Sequence, residues 1–138
     1  MRTKIIAALL AAIVPLVGEA STSIAIDAKR NCLAGAFGAV SGGAPVTFQL
    51  APGRYVVSLL SNNMSCSGGV LTNGCMIHSV MLQGGLGTSS SRWGTSITEP
   101  TVVDLTGPGS LSNLIAYVSD DQCADNTGQA TLLIQPAY

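Results

Sequence analysis

What most constrains this chain is a two-residue alternation of side-chain character, broken about every eight to twelve residues by glycine, proline or asparagine. Val46, Phe48 and Leu50 alternate with Thr47 and Gln49, and Tyr55, Val57 and Leu59 alternate with Val56 and Ser58. Thr101, Val103 and Leu105 bracket Val102 and Asp104, while Ala130, Leu132 and Ile134 alternate with Thr131 and Leu133. A period of two sends successive side chains to opposite faces of a strand, so one face of each run is offered to a core. The breaks are Gly42-Gly43-Ala44-Pro45, Pro52-Gly53, Gly84-Gly85-Leu86-Gly87 and Gly107-Pro108-Gly109, which read as turns. Segments 23–27, 75–83 and 111–119 are further strand candidates, and 33–43 reads as an irregular strand or a loop. Residues 88–91 read as a flexible loop. The expectation is an all-β domain, a small antiparallel β-sandwich of jelly-roll-like form with almost no helix.

The first 20 residues read differently. Arg2 and Lys4 precede an apolar run over 5–14, followed by Pro15 and the small-residue ending Gly18-Glu19-Ala20. That is the pattern of a secretory signal peptide, and cleavage is expected after Ala20. The run is shorter than the roughly 20 residues a bilayer span needs, so no membrane span is expected after cleavage. The domain is then 21–138, a single unit exported to the periplasm or beyond. Cys32, Cys66, Cys75 and Cys123 all lie within it, an even number that fits two disulfides in an oxidising compartment. Of the three possible pairings, Cys66 with Cys75 closes the short Gly-rich loop 67–74 and leaves Cys32 with Cys123 to join early chain to late chain. Zinc is the competing use, but no pair has C-x₂-C spacing and only His78 could join them.

Charge is sparse. Lys29, Arg30, Arg54 and Arg92 face Asp27, Glu99, Asp104, Asp120, Asp121 and Asp125, with no basic cluster of the kind that nucleic acid requires. Neutral or weakly polar ligands suit such a surface. Three of those acids fall in the segment Asp120-Asp121-Gln122-Cys123-Ala124-Asp125-Asn126, between two strong strand candidates. Oxygen ligands packed this densely suit calcium, which takes about six to eight oxygens, through Asp120, Asp121, Asp125 and Asn126. The alternative reading is a solvated acidic turn. Trp93, the single tryptophan, sits in Ser90-Ser91-Arg92-Trp93-Gly94, a loop-like setting where its ring could serve as a sugar platform or else plug one end of the core. The polar segment 61–65 offers further amide and carbonyl groups. His78 shares a phase with Met76, Val80 and Leu82, which suggests a histidine packed within a strand. No nucleophile elbow, paired-histidine zinc motif or phosphate loop occurs, so no enzyme is expected.

An acidic loop ending in Asp125-Asn126-Thr127-Gly128, followed by the alternating strand from Gln129 to Ile134, resembles the C-terminal calcium loop of the bacterial calcium-dependent galactose-binding lectins. Pro52-Gly53-Arg54-Tyr55 leading one strand, and Cys75 leading another that ends at Gly84, fall in a similar order. The resemblance implies a jelly-roll fold, with Asp120 or Asp121, Asp125 and Asn126 holding a calcium ion and the sugar hydroxyls. This loop is shorter than the family's, has Asp where the family has the first Asn of its final pair, and carries Cys123 within it. The functional expectation is a secreted lectin-like module with Trp93, Asp125 and Asn126 on the carbohydrate or cell-surface glycan and calcium in support. A structural or protein-interaction domain without a small-ligand site is the alternative.

Overall fold

A computed structural model describes residues 20–34, 42–68, 74–85, 92–106 and 111–137. Among these described residues nine strands follow one another: β1 Thr22–Asp27, β2 Cys32–Leu33, β3 Val46–Leu50, β4 Gly53–Leu60, β5 Val80–Gly84, β6 Trp93–Ile97, β7 Thr101–Leu105, β8 Ser112–Ser119 and β9 Gln129–Ala137. One sheet has the order β1-β9-β4-β7 and is antiparallel throughout. The other runs from β8 through β5 to β6, while β3 and β2 pair successive stretches of β8, β3 antiparallel and β2 parallel. The architecture is the expected all-β, two-sheet one. The expected leader, residues 1–20, lies outside the described residues except for exposed Ala20, which with exposed Ser21 immediately precedes β1.

Alternation becomes burial. In β7, Val103 and Leu105 are buried while Val102 and Asp104 are exposed; in β9, Ala130, Leu132 and Ile134 are buried. These meet Val57 and Tyr55 of β4 and, from the other sheet, Val80, Leu82, Ile97, Leu114, Ala116 and Val118 in a single core. Each fully buried aliphatic side chain contributes about 1.5–3 kcal/mol relative to exposure.

The sandwich has two ends, fixed by strand direction. At one end lie the turn after β1, segments 61–68 and 74–79, and the connection 120–128. Backbone hydrogen bonds lace them together: Ala28 N–H to Gly128 O, Ser65 and Thr127 reciprocally, Gly68 N–H to Asp125 O, and Ile77 N–H to Met64 O. Met64 is fully buried beneath them. The two disulfides, Cys32–Cys123 and Cys66–Cys75, lie here with the expected pairing. Gly128 has φ +87°, and a Cβ there would fall 2.3 Å from Asn63 O, so both the conformation and the space require glycine. At the opposite end, Tyr55 donates its hydroxyl to Ala51 O (2.7 Å) across the turn from β3 into β4.

Three expectations are corrected. Trp93 is not in a loop but opens β6, a strand the sequence reading did not contain. The candidate strand 75–83 begins only at Val80, because 75–79 crosses the sandwich end, held by a Met76 bridge to Ser65 and the Ile77 bond to Met64. His78 therefore lies outside any strand and is exposed. Of the described residues of segment 33–43, Leu33 alone is strand, while 35–41, like 88–91, lies outside the described residues.

Candidate functional site

The acidic connection is built around the covalent link. Cys123–Asp125 forms one 3-10 turn, and Cys123 is buried in its bond to Cys32. Asn126 follows at 1% exposure; its Nδ2 donates to Ala28 O (3.0 Å) and lies 3.4 Å from Cys32 Sγ. This amide straps the turn after β1 to the late connection. Its Oδ1 is buried with no hydrogen-bond partner, as is Oδ1 of the half-buried Asp125. Asp120 Oδ1 accepts the Gln122 N–H at 3.3 Å, and Asp121 is exposed. Among the described residues no three His, Cys, Asp or Glu side chains gather closely enough to hold a metal ion. For calcium, the loop thus offers two unpartnered buried oxygens toward the usual six to eight or so.

Trp93 is elsewhere. Antiparallel pairing sets Trp93 opposite Gly84 and Ile97 opposite Val80, while β8 runs against β5 with Tyr117 opposite Met81. The connection after β8 therefore emerges beyond the Val80 end of β5, and Trp93 stands at the other end, four residues or about 13 Å away along the strand. The ring points to the inner face, half-buried on the core, and occupies the space a side chain at Gly84 would need: a Cβ there would be 2.4 Å from ring carbons. Trp93, Asp125 and Asn126 are not brought into one site.

The outer face of the β8–β5–β6 sheet was not singled out from the sequence. Its outward positions include Thr47 and Gln49 of β3, Asn113, Ile115, Tyr117 and Ser119 of β8, Met81 and Gln83 of β5, and Gly94 and Ser96 of β6. None is ionised at neutral pH. Gln49 Nε2 donates to Asn113 Oδ1 at 2.8 Å, and Gln83 Nε2 to the Tyr117 hydroxyl at 2.7 Å. The signal was present in the outward phase of each alternating run.

The other sheet's outer face differs in chemistry. Arg54 and Asp104, opposite each other on β4 and β7, form a two-bonded ion pair at 2.7 and 3.1 Å. Hydrogen bonding to Arg54 holds the Asp104 carboxyl below the usual carboxylate value. Beside them stand Val102, 59% exposed, and Val56, with Leu60, 43% exposed, further along. Asp27, at the end of β1, accepts the N–H groups of Arg30 (2.8 Å) and Lys29 (2.9 Å), and the Arg30 bond foremost lowers its pKa.

The two disulfides mark a protein of oxidising, extracytoplasmic surroundings. No described helix is long and apolar enough to cross a membrane. Compared with known proteins, the chain matches no family model, no curated protein and no solved structure.

Proposed function

We propose that the chain is a secreted or periplasmic, non-catalytic carbohydrate-binding module whose ligand lies on the outer face of the β8–β5–β6 sheet. The observation that carries this reading is the uncharged set formed by the Gln49–Asn113 and Gln83–Tyr117 couples. A neutral sugar presents hydroxyl groups that both give and take hydrogen bonds, together with apolar ring faces. Planar amides offer donors and acceptors together, and tyrosine adds a ring with a polar tip. Mounting these groups on strands fixes their spacing better than loops would. The resemblance of the 120–128 loop to the calcium-dependent lectins supports the same ligand class.

Calcium is the second part of the reading, assigned to Asp125 and Asn126. Two buried oxygens without hydrogen-bond partners, on consecutive residues, are the feature that supports it. In this reading the ion steadies the laced end and stands apart from the sugar face.

One experiment tests both parts. Glycan-array binding is measured for the wild type and Tyr117→Ala, with calcium and with a chelator, and the melting midpoint is recorded in each buffer. Binding that Tyr117→Ala abolishes is the expected outcome, with calcium raising the midpoint and Asp125→Ala removing that rise. A stabilisation of about 2.7 kcal/mol is expected at a hundredfold excess of calcium over its Kd. Identical midpoints in both buffers remove calcium, and an empty array removes the carbohydrate reading. A protein-interaction domain is then favoured, for which exposed Val102 and Leu60 on the opposite sheet are the supporting observation.

A further inference from the structure

The uncharged face is wider than one sugar ring. Asn113 and Tyr117 stand on the same strand four residues apart, a separation of about 13 Å, and the passage from β3 across β8 and β5 to β6 spans three interstrand steps, about 14 Å. Its hydrogen-bonding groups gather in two places within that area. Gln49 and Asn113 face each other at one corner, and Gln83 and Tyr117 are joined nearer the other. Each couple consumes one donor and one acceptor. Among the described residues, nothing takes up the Oε1 atoms of the two glutamines, either hydrogen of Asn113 Nδ2 or the Tyr117 hydroxyl proton. Between the couples lies half-buried Ile115, flanked by Thr47 and Gln83. Gly94 leaves room for the Gln83 side chain, since a Cβ there would approach Gln83 Cγ to 3.2 Å.

Resting on the carbohydrate reading, we infer that the ligand is an extended, uncharged polysaccharide chain lying over both couples, one sugar unit at Gln49–Asn113 and another at Gln83–Tyr117. A single terminal sugar seated on one couple leaves the other in water and its groups unused. A chain reaches both, and the apolar Ile115 between them meets the apolar faces of the intervening unit. Among the described strand residues of this face none is ionised and the one neighbouring cation, exposed Arg92, stands before β6 at its edge, so an acidic polymer lying over the two couples would be partly desolvated there without a counter-charge beneath it.

The test is titration calorimetry of the full mature chain with cello-oligosaccharides and chito-oligosaccharides, from the monosaccharide to the hexasaccharide. Affinity is expected to climb at least tenfold between the shortest and longest members of the ladder that binds. Gln49→Ala and Gln83→Ala are each expected to lower hexasaccharide affinity about tenfold, the scale of one or two lost hydrogen bonds. Both positions point outward, so unchanged melting midpoints will certify the fold of each variant. A monosaccharide that binds as tightly as the hexasaccharide overturns the extended-chain inference and leaves the carbohydrate reading standing. Tight hexasaccharide binding that neither variant weakens overturns the assignment to these couples. No binding by any member of either ladder, with an empty glycan array, overturns both readings together.

Discussion

The two ends of this sandwich are closed by different physics. At the end holding the 120–128 connection, the chain crosses from sheet to sheet in irregular segments, and irregular backbone carries polar groups that must find partners. They find them in one another, through the strap from Asn126 to Ala28 and the reciprocal Ser65–Thr127 bonds, and two covalent links fix the result. At the other end an aromatic ring fills the space left by a glycine, Trp93 on Gly84, and a tyrosine hydroxyl ties its own turn. A domain with few aromatic residues has one tryptophan to place, and it fills the space beside Gly84 at the end of the β5–β6 pair. The end without such a filler relies on cross-links and amide straps. Polar density there is thus largely accounted for by architecture, which is why the uncharged sheet face carries the functional proposal.

The sharpest way to break this contrast is to remove one covalent link. Replacing both Cys32 and Cys123 by alanine opens a loop with a sequence separation of 91 and is expected to cost roughly 4–5 kcal/mol in chemical denaturation. The same change at Cys66 and Cys75, separated by 9, is expected to cost visibly less. Equal losses would show that loop entropy is not what the long link supplies. At the opposite end, Gly84→Ala places a methyl group against the Trp93 ring and is expected to cost about 1–3 kcal/mol, with a shift in tryptophan emission as the ring is displaced. Unchanged emission and stability would mean that the ring does not close that end. The smallest effect concerns Asp27, whose carboxylate caps the turn after β1. Asp27→Asn is expected to cost about 0.5–1 kcal/mol at neutral pH. Because the folded state lowers this pKa, the carboxylate's contribution is present above the ordinary value of 3.8 and fades as pH falls through the lower folded value. Wild type and variant should therefore converge in acid; a difference that persists there would assign the effect to packing.

Much of the framework was legible because alternation reports burial directly, as at Val103 and Leu105 against Val102 and Asp104. Strand β6 escaped because its outward positions are Gly94 and Ser96 and its middle inward one is Thr95, so the contrast between faces is weak. His78 was placed in a strand because the even-numbered phase of Val80 and Leu82 extends back through Met76, yet phase does not tell where a segment leaves its sheet. The site was harder. Asn126 reads as a ligand from its neighbours, while the structural partner of its Nδ2, Ala28, lies 98 positions earlier. Gln49 and Asn113 are 64 positions apart and Gln83 and Tyr117 are 34 apart, so outward phase names each residue without showing which strands adjoin.

The pairing of β1 with β9 also has a consequence in time. Among the described residues β1 pairs in its sheet with β9 alone, and β9 stands between β1 and β4. A chain that emerges N-terminus first therefore cannot complete this sheet until β9 has appeared. Such distant pairings slow folding and leave unpaired strands exposed meanwhile. A nascent chain threaded through a narrow passage would thus keep this sheet incomplete until β9 is through, and a stop before Gln129 would leave β1 and one edge of β4 without the strand they pair with here.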